Sequence, residues 1–131
     1  MNKLLILFVL FSISLNAQVQ NSPLTEDTTV YTIVDRTPKF PEGIDAMYKF
    51  IYSKFNYEKL AEIDVQGKIY IEFVVEKDGN LSNIKIIRSL DPFCDKEAIR
   101  IVRLMPKWKP GKLKNKKVRT KIEIPITIKL E

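Results

Sequence analysis

The segment GKIYIEFVVEKDG, residues 67–79, alternates apolar and polar side chains and then ends in a turn signal. Ile69, Ile71, Phe73 and Val75 fall on one face of an extended chain. Because successive side chains of a strand point to opposite faces of the sheet, this spacing predicts a strand with one buried face. Phe73, the largest of the four, is predicted to be a structural core residue.

The turn signal that ends this segment is Asp78-Gly79. This pair favours the two positive φ angles of a tight hairpin. A second strand is therefore predicted over residues 81–88, with Ile84 and Ile86 pointing inward.

The last run of the chain, residues 120–131, also has period two. Its predicted inward residues are Ile122, Ile124, Ile126, Ile128 and Leu130. This pattern predicts a third strand, so we expect a small, mainly antiparallel sheet of three strands.

Helical spacing precedes the sheet segments and separates them. One apolar stripe begins at Ile44 and recurs at offsets of 3, 4, 7 and 11, at Met47, Tyr48, Ile51 and Phe55. A short helix is predicted over 57–63, and another begins after Asp91-Pro92 and ends before Pro106. The predicted class is α+β, in the order α-β-β-α-β, with the helices covering one face of the sheet.

The N-terminal residues have the pattern of an export signal. Lys3 precedes a short apolar run over 4–15, and Ala17 provides a small residue for cleavage. We expect residues 1–17 to be a signal peptide, 18–35 a polar tether and 36–131 one domain in the periplasm. The alternative is an inner-membrane anchor formed by residues 4–15, although that run is shorter than the ~20 residues that a spanning helix needs.

Composition argues against most enzyme chemistry. The 131 residues contain no histidine and one cysteine, so the commonest general base and the usual zinc ligands are missing. Cys94 has no thiol partner and is predicted to be a small buried residue, while the acid pairs Asp91/Asp95 and Glu72/Glu76 fit a helix start and an outer strand face. We expect no catalytic residues, metal or cofactor.

Four motifs together resemble the TonB C-terminal domain family, in the form common in Bacteroidetes-type sequences. They are Phe40-Pro41-Glu42-Gly43, Gln66 to Val75 followed by Lys77-Asp78-Gly79, Met105-Pro106-Lys107-Trp108-Lys109-Pro110-Gly111-Lys112, and Ile124-Pro125-Ile126. The resemblance covers the chain from about Arg36 to its end. It implies an interaction domain that contacts outer-membrane transporters through their short periplasmic TonB box and passes on work from an inner-membrane proton channel.

Two features depart from the full energy-transducing pattern. The seven prolines form no proline-rich spacer, and Tyr57 is followed by Glu58 where the family has a proline. These departures leave a second function open, in which a soluble cell-envelope module binds peptidoglycan, an acidic partner or a second copy of itself, without energy transduction.

The last strand offers a binding edge. Along a strand, the face to which a side chain points and the edge to which its backbone N–H and C=O point both alternate with period two. The other odd-numbered residues therefore turn their backbone groups to the same edge as Pro125, which has no N–H to donate. The predicted partner-binding residues are Arg119, Lys121, Glu123, Pro125, Thr127 and Lys129, and an extended transporter peptide or a second copy would pair there by strand addition. The alternative is that Pro125 and the lysines only blunt the edge against aggregation.

Trp108 and the lysine-rich stretch before the last strand each allow two interpretations. Trp108 lies between two prolines and is predicted to plug the core, rather than to stack on a ligand. The formal charge is +6, and six cations cluster at Lys112, Lys114, Lys116, Lys117, Arg119 and Lys121. This stretch is predicted to be a solvated loop, with an acidic partner or wall polymer as the alternative. Because the chain is expected to be exported, we expect no nucleic-acid partner.

Overall fold

The computed structural model of the protein describes residues 28–130. Its elements in chain order are β1 (Val30–Tyr31), α1 (Ile44–Lys54), α2 (Tyr57–Ile63), β2 (Gly67–Val75), β3 (Leu81–Arg88), α3 (Pro92–Arg103), β4 (Gly111–Leu113) and β5 (Lys116–Ile128). The predicted α+β class is confirmed. The predicted signal peptide and the first part of the predicted tether lie outside the described residues, and the domain boundary at residue 36 stays a prediction.

The sheet is built around β2 and β5. Its strand order is β1-β5-β2-β3, and β4 pairs with β5 beside this path. The two central strands are antiparallel, in register from Gly67 opposite Ile128 to Val75 opposite Thr120. β2 and β3 form the expected hairpin, and the last strand lies beside the first strand of that hairpin, as expected.

The predicted count of three strands is wrong, because the sheet has five strands among residues 28–130. β1 pairs in parallel with Arg119 and Thr120, and β4 forms a hairpin with Lys116–Val118. Strands of two and three residues are too short to display an alternating pattern. The stretch predicted to be a solvated loop is therefore partly strand, and β5 begins at Lys116 rather than at residue 120.

The loop between β2 and β3 differs from the expected tight turn. Gly79 alone has a positive φ, 91°, and Asp78 does not. The Glu76 N–H donates to the carbonyl of Asn80, and the Gly79 N–H donates to that of Glu76. The connection thus spans Glu76 to Asn80, a longer hairpin loop in which glycine supplies the left-handed residue.

The helices cover one face of the sheet, as predicted. Phe73 is fully buried, and the rest of the inward face of β2 and that of β5 pack in one core with α1, α2 and α3. Trp108 is 5% exposed in the same core. Its ring meets those of Phe40 and Phe73 edge to face, with centroids 5.8 Å and 5.4 Å away.

An ion pair between the buried Glu97 and the half-exposed Arg100 ties α3 to the connection between α1 and α2. The Glu97 carboxylate accepts from the Asn56 N–H at 2.9 Å and from Nε of Arg100 at 2.7 Å. Arg100 also donates to the Lys54 carbonyl. These contacts cap the end of α1 and the start of α2, and thereby fix α1 against the body of the domain.

α1 departs in one respect from its predicted stripe. Met47, Ile51 and Phe55 are buried, but Ile44 is 66% exposed. Ile44 is the first residue of α1, directly after Gly43, and is exposed rather than packed in the core. Within residues 28–130, no helix has the length and apolar character needed to cross a bilayer.

Candidate functional site

The outer edge of β5 is the candidate site. β4 and β1 pair with β5 only as far as Thr120, and within residues 28–130 no strand pairs beside Lys121–Ile128 on the side away from β2. Strand edges with open N–H and C=O groups are templates for pairing with another chain. This stretch, Lys121 to Ile128, is called the open edge below.

Two hydrogen bonds fix the direction in which the backbone of the open edge points. The Pro125 carbonyl accepts from the Tyr48 hydroxyl at 2.9 Å, and the Thr127 N–H donates to the Tyr52 hydroxyl at 3.1 Å. Both tyrosines lie on α1 and not on β2, so the backbone groups of residues 125 and 127 turn away from β2. By the period-two rule Lys121 and Glu123 turn the same way.

The predicted partner-binding residues divide into two groups in the structure. Lys121, Glu123, Pro125 and Thr127 are exposed along the open edge, and Lys129 follows one residue beyond the strand. Arg119 lies apart from them, because β1 pairs beside it.

The Arg119 guanidinium is also engaged. It donates to both carboxylate oxygens of Glu76, at 2.7 Å and 2.9 Å, and to the Thr28 carbonyl. This hydrogen bonding from Arg119, assisted by the Ser82 hydroxyl, holds the pKa of the Glu76 carboxyl below its usual range although partial burial opposes the shift. Arg119 therefore fixes the N-terminal segment and the hairpin loop.

An aromatic cleft adjoins the C-terminal end of the open edge. It has a volume of about 730 Å³, and its lining includes Tyr52, Phe55, Tyr57, Leu60, Thr127 and Leu130. A second cleft of about 430 Å³ adjoins the other end, and its lining includes Phe40, Met47, Trp108, Ile122 and Ile124. Clefts of this kind accept apolar side chains.

The lysine-rich hairpin of β4 and β5 is a separate surface. Lys112 lies directly opposite Lys117, an arrangement in which like charges destabilise a strand pair. Within the described part of the chain, the ammonium groups of Lys112, Lys114, Lys116 and Lys117 form no ion pairs, whereas Lys121 lies 3.9 Å from Glu72. The hairpin therefore concentrates positive charge, with the Asp35 carboxylate, which accepts from the Lys114 N–H, as an acidic neighbour.

The groups considered for catalysis have structural partners. Asp91 caps α3 by accepting from the N–H groups of Phe93 and Cys94, and Asp95 accepts from the Leu90 N–H. Glu72 pairs with lysines.

The single thiol is buried, and no acidic cluster suits a metal. Burial, together with the nearby carboxylates, raises the pKa of Cys94 to about 11, so the thiol stays protonated at neutral pH. Among residues 28–130 no group of acidic or thiol side chains is arranged to hold a metal ion.

Tyr48 and Tyr52 are the residues at the edge that sequence reasoning missed. The helical spacing places Tyr48 on the inward stripe of α1 and does not single out Tyr52. Their i, i+4 spacing was the available signal, since it places both side chains on one side of a helix. Which element that side meets depends on tertiary packing and cannot be read from spacing.

A small α+β domain with an open sheet edge and apolar clefts at both ends has the architecture typical of protein interaction modules. Residues 55–130 match the profile of the C-terminal domain of the Gram-negative bacterial TonB protein. The chain belongs to the TonB C-terminal domain family. In TonB this domain is a periplasmic interaction module that contacts outer-membrane transporters.

Two solved structures are similar to the chain. Both are NMR solution structures of the Helicobacter pylori TonB C-terminal domain. The first comprises residues 179–285, with 24% identity, 63% of this chain and 76% of that chain covered, and a TM-score of 0.47. The second comprises residues 194–285, with 22% identity, 66% and 92% covered, and a TM-score of 0.49. No curated protein matches the chain significantly.

Proposed function

We propose that the protein is a periplasmic adaptor that captures an extended peptide segment of an outer-membrane transporter by strand addition to the open edge. The observation that carries the proposal is the run of β5 from Lys121 onward, which within residues 28–130 has no strand beside it on the side away from β2. An added strand obtains affinity from main-chain hydrogen bonds and specificity from pockets for alternate side chains.

The clefts at the two ends of the open edge support this function. Ile122 lines one cleft and Thr127 lines the other. These two residues are five positions apart, or about 17 Å along the strand. A peptide along the edge passes both clefts and has an apolar site near each of its ends. Membership of a family whose domain contacts transporters supports the same partner.

The test replaces an outward backbone donor. Glu123→Pro removes an N–H that points away from β2, at a position equivalent to the native Pro125, so we expect the domain to fold and the peptide to bind more weakly. The expected loss is roughly three- to tenfold, the effect of one hydrogen bond on an equilibrium constant. Binding is measured by titrating the full chain with synthetic peptides from periplasmic segments of the organism's transporters.

The matched control is Ile126→Pro. Ile126 pairs with Ile69 of β2, and its N–H points toward β2. This substitution therefore deletes a hydrogen bond between β5 and β2 and destabilises the domain itself. Glu123→Pro is cleaner than Thr127→Pro, because the Thr127 N–H is already bonded to Tyr52. Unchanged binding by Glu123→Pro in a folded protein would refute strand addition.

A second candidate function rests on the lysine-rich hairpin, where Lys112 opposes Lys117. A charged pair that weakens its own hairpin favours an acidic partner or wall polymer that neutralises it. The same titration separates the two functions. If Lys112→Glu and Lys117→Glu abolish binding while Glu123→Pro leaves it intact, the hairpin is the binding surface.

A further inference from the structure

Two tyrosine hydroxyls occupy the open edge at the positions that an added strand needs. Tyr48 donates to the Pro125 carbonyl and Tyr52 accepts from the Thr127 N–H. Both bonds join residues far apart in sequence, and both use backbone groups that face away from β2. They therefore do not belong to the sheet or to the helix, and they satisfy groups that are otherwise open to a partner.

The geometry that permits both bonds is a match between helix and strand periods. Four residues of helix rise about 6 Å, and two residues of strand rise about 6.6 Å. The rings of Tyr48 and Tyr52 are stacked, with centroids 6.1 Å apart and planes at 18°. The stacked pair thus reaches two successive outward positions, 125 and 127, without straining α1.

The pair can leave the edge without moving the helix. Met47 and Ile51 are 2% and 0% exposed and anchor α1 in the core, whereas Tyr48 and Tyr52 are only half-buried. Partial burial, with Tyr52 alongside, raises the pKa of Tyr48, so its hydroxyl keeps the proton that it donates. Opening needs two side-chain rotations and the loss of two hydrogen bonds.

We propose that Tyr48 and Tyr52 form a removable cap that competes with the incoming strand for Pro125 and Thr127. The cap rests on the proposed function, because it regulates the same edge. In the free protein it satisfies these two positions and leaves only the part of the edge around Glu123 open. A peptide that extends past residue 124 displaces both hydroxyls, so the cap sets the affinity for long peptides. Both tyrosines precede residues 55–130, the part that matches the family profile.

The test removes the hydroxyls and keeps the rings. The double variant Tyr48→Phe/Tyr52→Phe is expected to bind a long transporter peptide about three- to tenfold more tightly than the parent, since two modest hydrogen bonds no longer compete. Tyr70→Phe is the matched control, because Tyr70 lies on β2, contacts Arg88 and lines neither cleft. A second readout is amide hydrogen exchange at Thr127, which we expect to accelerate in Tyr52→Phe.

The outcomes separate the cap from the function on which it rests. Tighter binding by the double variant, with Tyr70→Phe unchanged, supports the cap. Equal or weaker binding by the double variant, while the parent binds the peptide, overturns the cap and leaves strand addition standing. If neither the parent nor any variant binds the peptide, the proposed function is wrong and the competing cap is wrong with it.

Discussion

Replacing Trp108 by alanine tests the packing that supports the binding edge. The side chain is 5% exposed and makes edge-to-face contacts with Phe40 and Phe73. Truncating a buried tryptophan to alanine removes about 3–5 kcal/mol of unfolding free energy. Its two aromatic contacts place this site in the upper part of that range, because each pair contributes about 0.5–1.5 kcal/mol beyond area burial.

One feature of the site lowers the expected loss. The Trp108 Nε1 is buried and has no hydrogen-bond partner among the described residues. Removing an unsatisfied donor returns about 1 kcal/mol, which brings the expected loss to roughly 3–4 kcal/mol, a large part of the stability of a small domain. Trp108→Phe keeps a ring and also deletes the donor, so we expect it to lose only about 1–2 kcal/mol.

Urea unfolding measures both variants. Trp108 is the only tryptophan of the chain, so its fluorescence is lost in the variants and the transition must be followed by far-UV circular dichroism. An unchanged midpoint for Trp108→Ala, together with weaker peptide binding, would refute the core role. It would show instead that Trp108 recognises ligands through the cleft near Ile122.

One further prediction concerns the loop that contacts Trp108, and another concerns the ion pair of Glu97 and Arg100. Gly79→Ala is expected to destabilise the domain by about 2 kcal/mol more than Gly43→Ala. Both glycines have φ near 100°, so the backbone strain is similar. A Cβ at Gly79 would lie 2.3 Å from the Trp108 carbonyl oxygen, whereas a Cβ at Gly43 meets nothing within 4 Å. Equal losses in thermal melts would show that backbone conformation alone matters. Glu97→Gln should lose about 1 kcal/mol at neutral pH, since Arg100 is half-exposed. Hydrogen bonding from Arg100 lowers the pKa of the Glu97 carboxyl in the folded protein. The contribution of this carboxylate to folding stability is therefore fully present above its unfolded-state pKa of about 4.3, and it is lost as the pH falls through the lower folded-state pKa. A parent-to-variant difference that persists at the lowest pH would contradict this linkage.

The two long strands could be predicted because each carries its own signal. The sequence alternates along β2 and along β5 from Thr120 onward, and Pro125 identifies which side of β5 faces away from the ladder. These are local properties, and they sufficed to predict which strand would leave an edge. Whether a partner uses that edge stays a prediction.

The parts that could not be predicted depend on long-range contacts. β1 is too short to alternate, and its place is set by pairing with Arg119 and Thr120. The hairpin of β4 and β5 turns at Lys114 and Asn115, and both residues have a positive φ. Lysine is not among the residues whose presence indicates such a turn in a sequence. Ile44 fits an inward stripe by spacing, yet it is exposed, because spacing alone does not show whether the rest of the fold covers the first turn of a helix.

The combined assignments divide the outer edge of β5 into segments with different occupants. β1 covers Arg119 and Thr120, while the tyrosine hydroxyls cover positions 125 and 127. The stretch with no described occupant is Lys121 to Ile124, about 13 Å of strand with two outward-facing residues. A peptide confined to that stretch makes few main-chain hydrogen bonds and reaches only the cleft near Ile122. A peptide that also reaches the aromatic cleft must cross the tyrosines, so affinity on this edge is governed by the competition at Pro125 and Thr127.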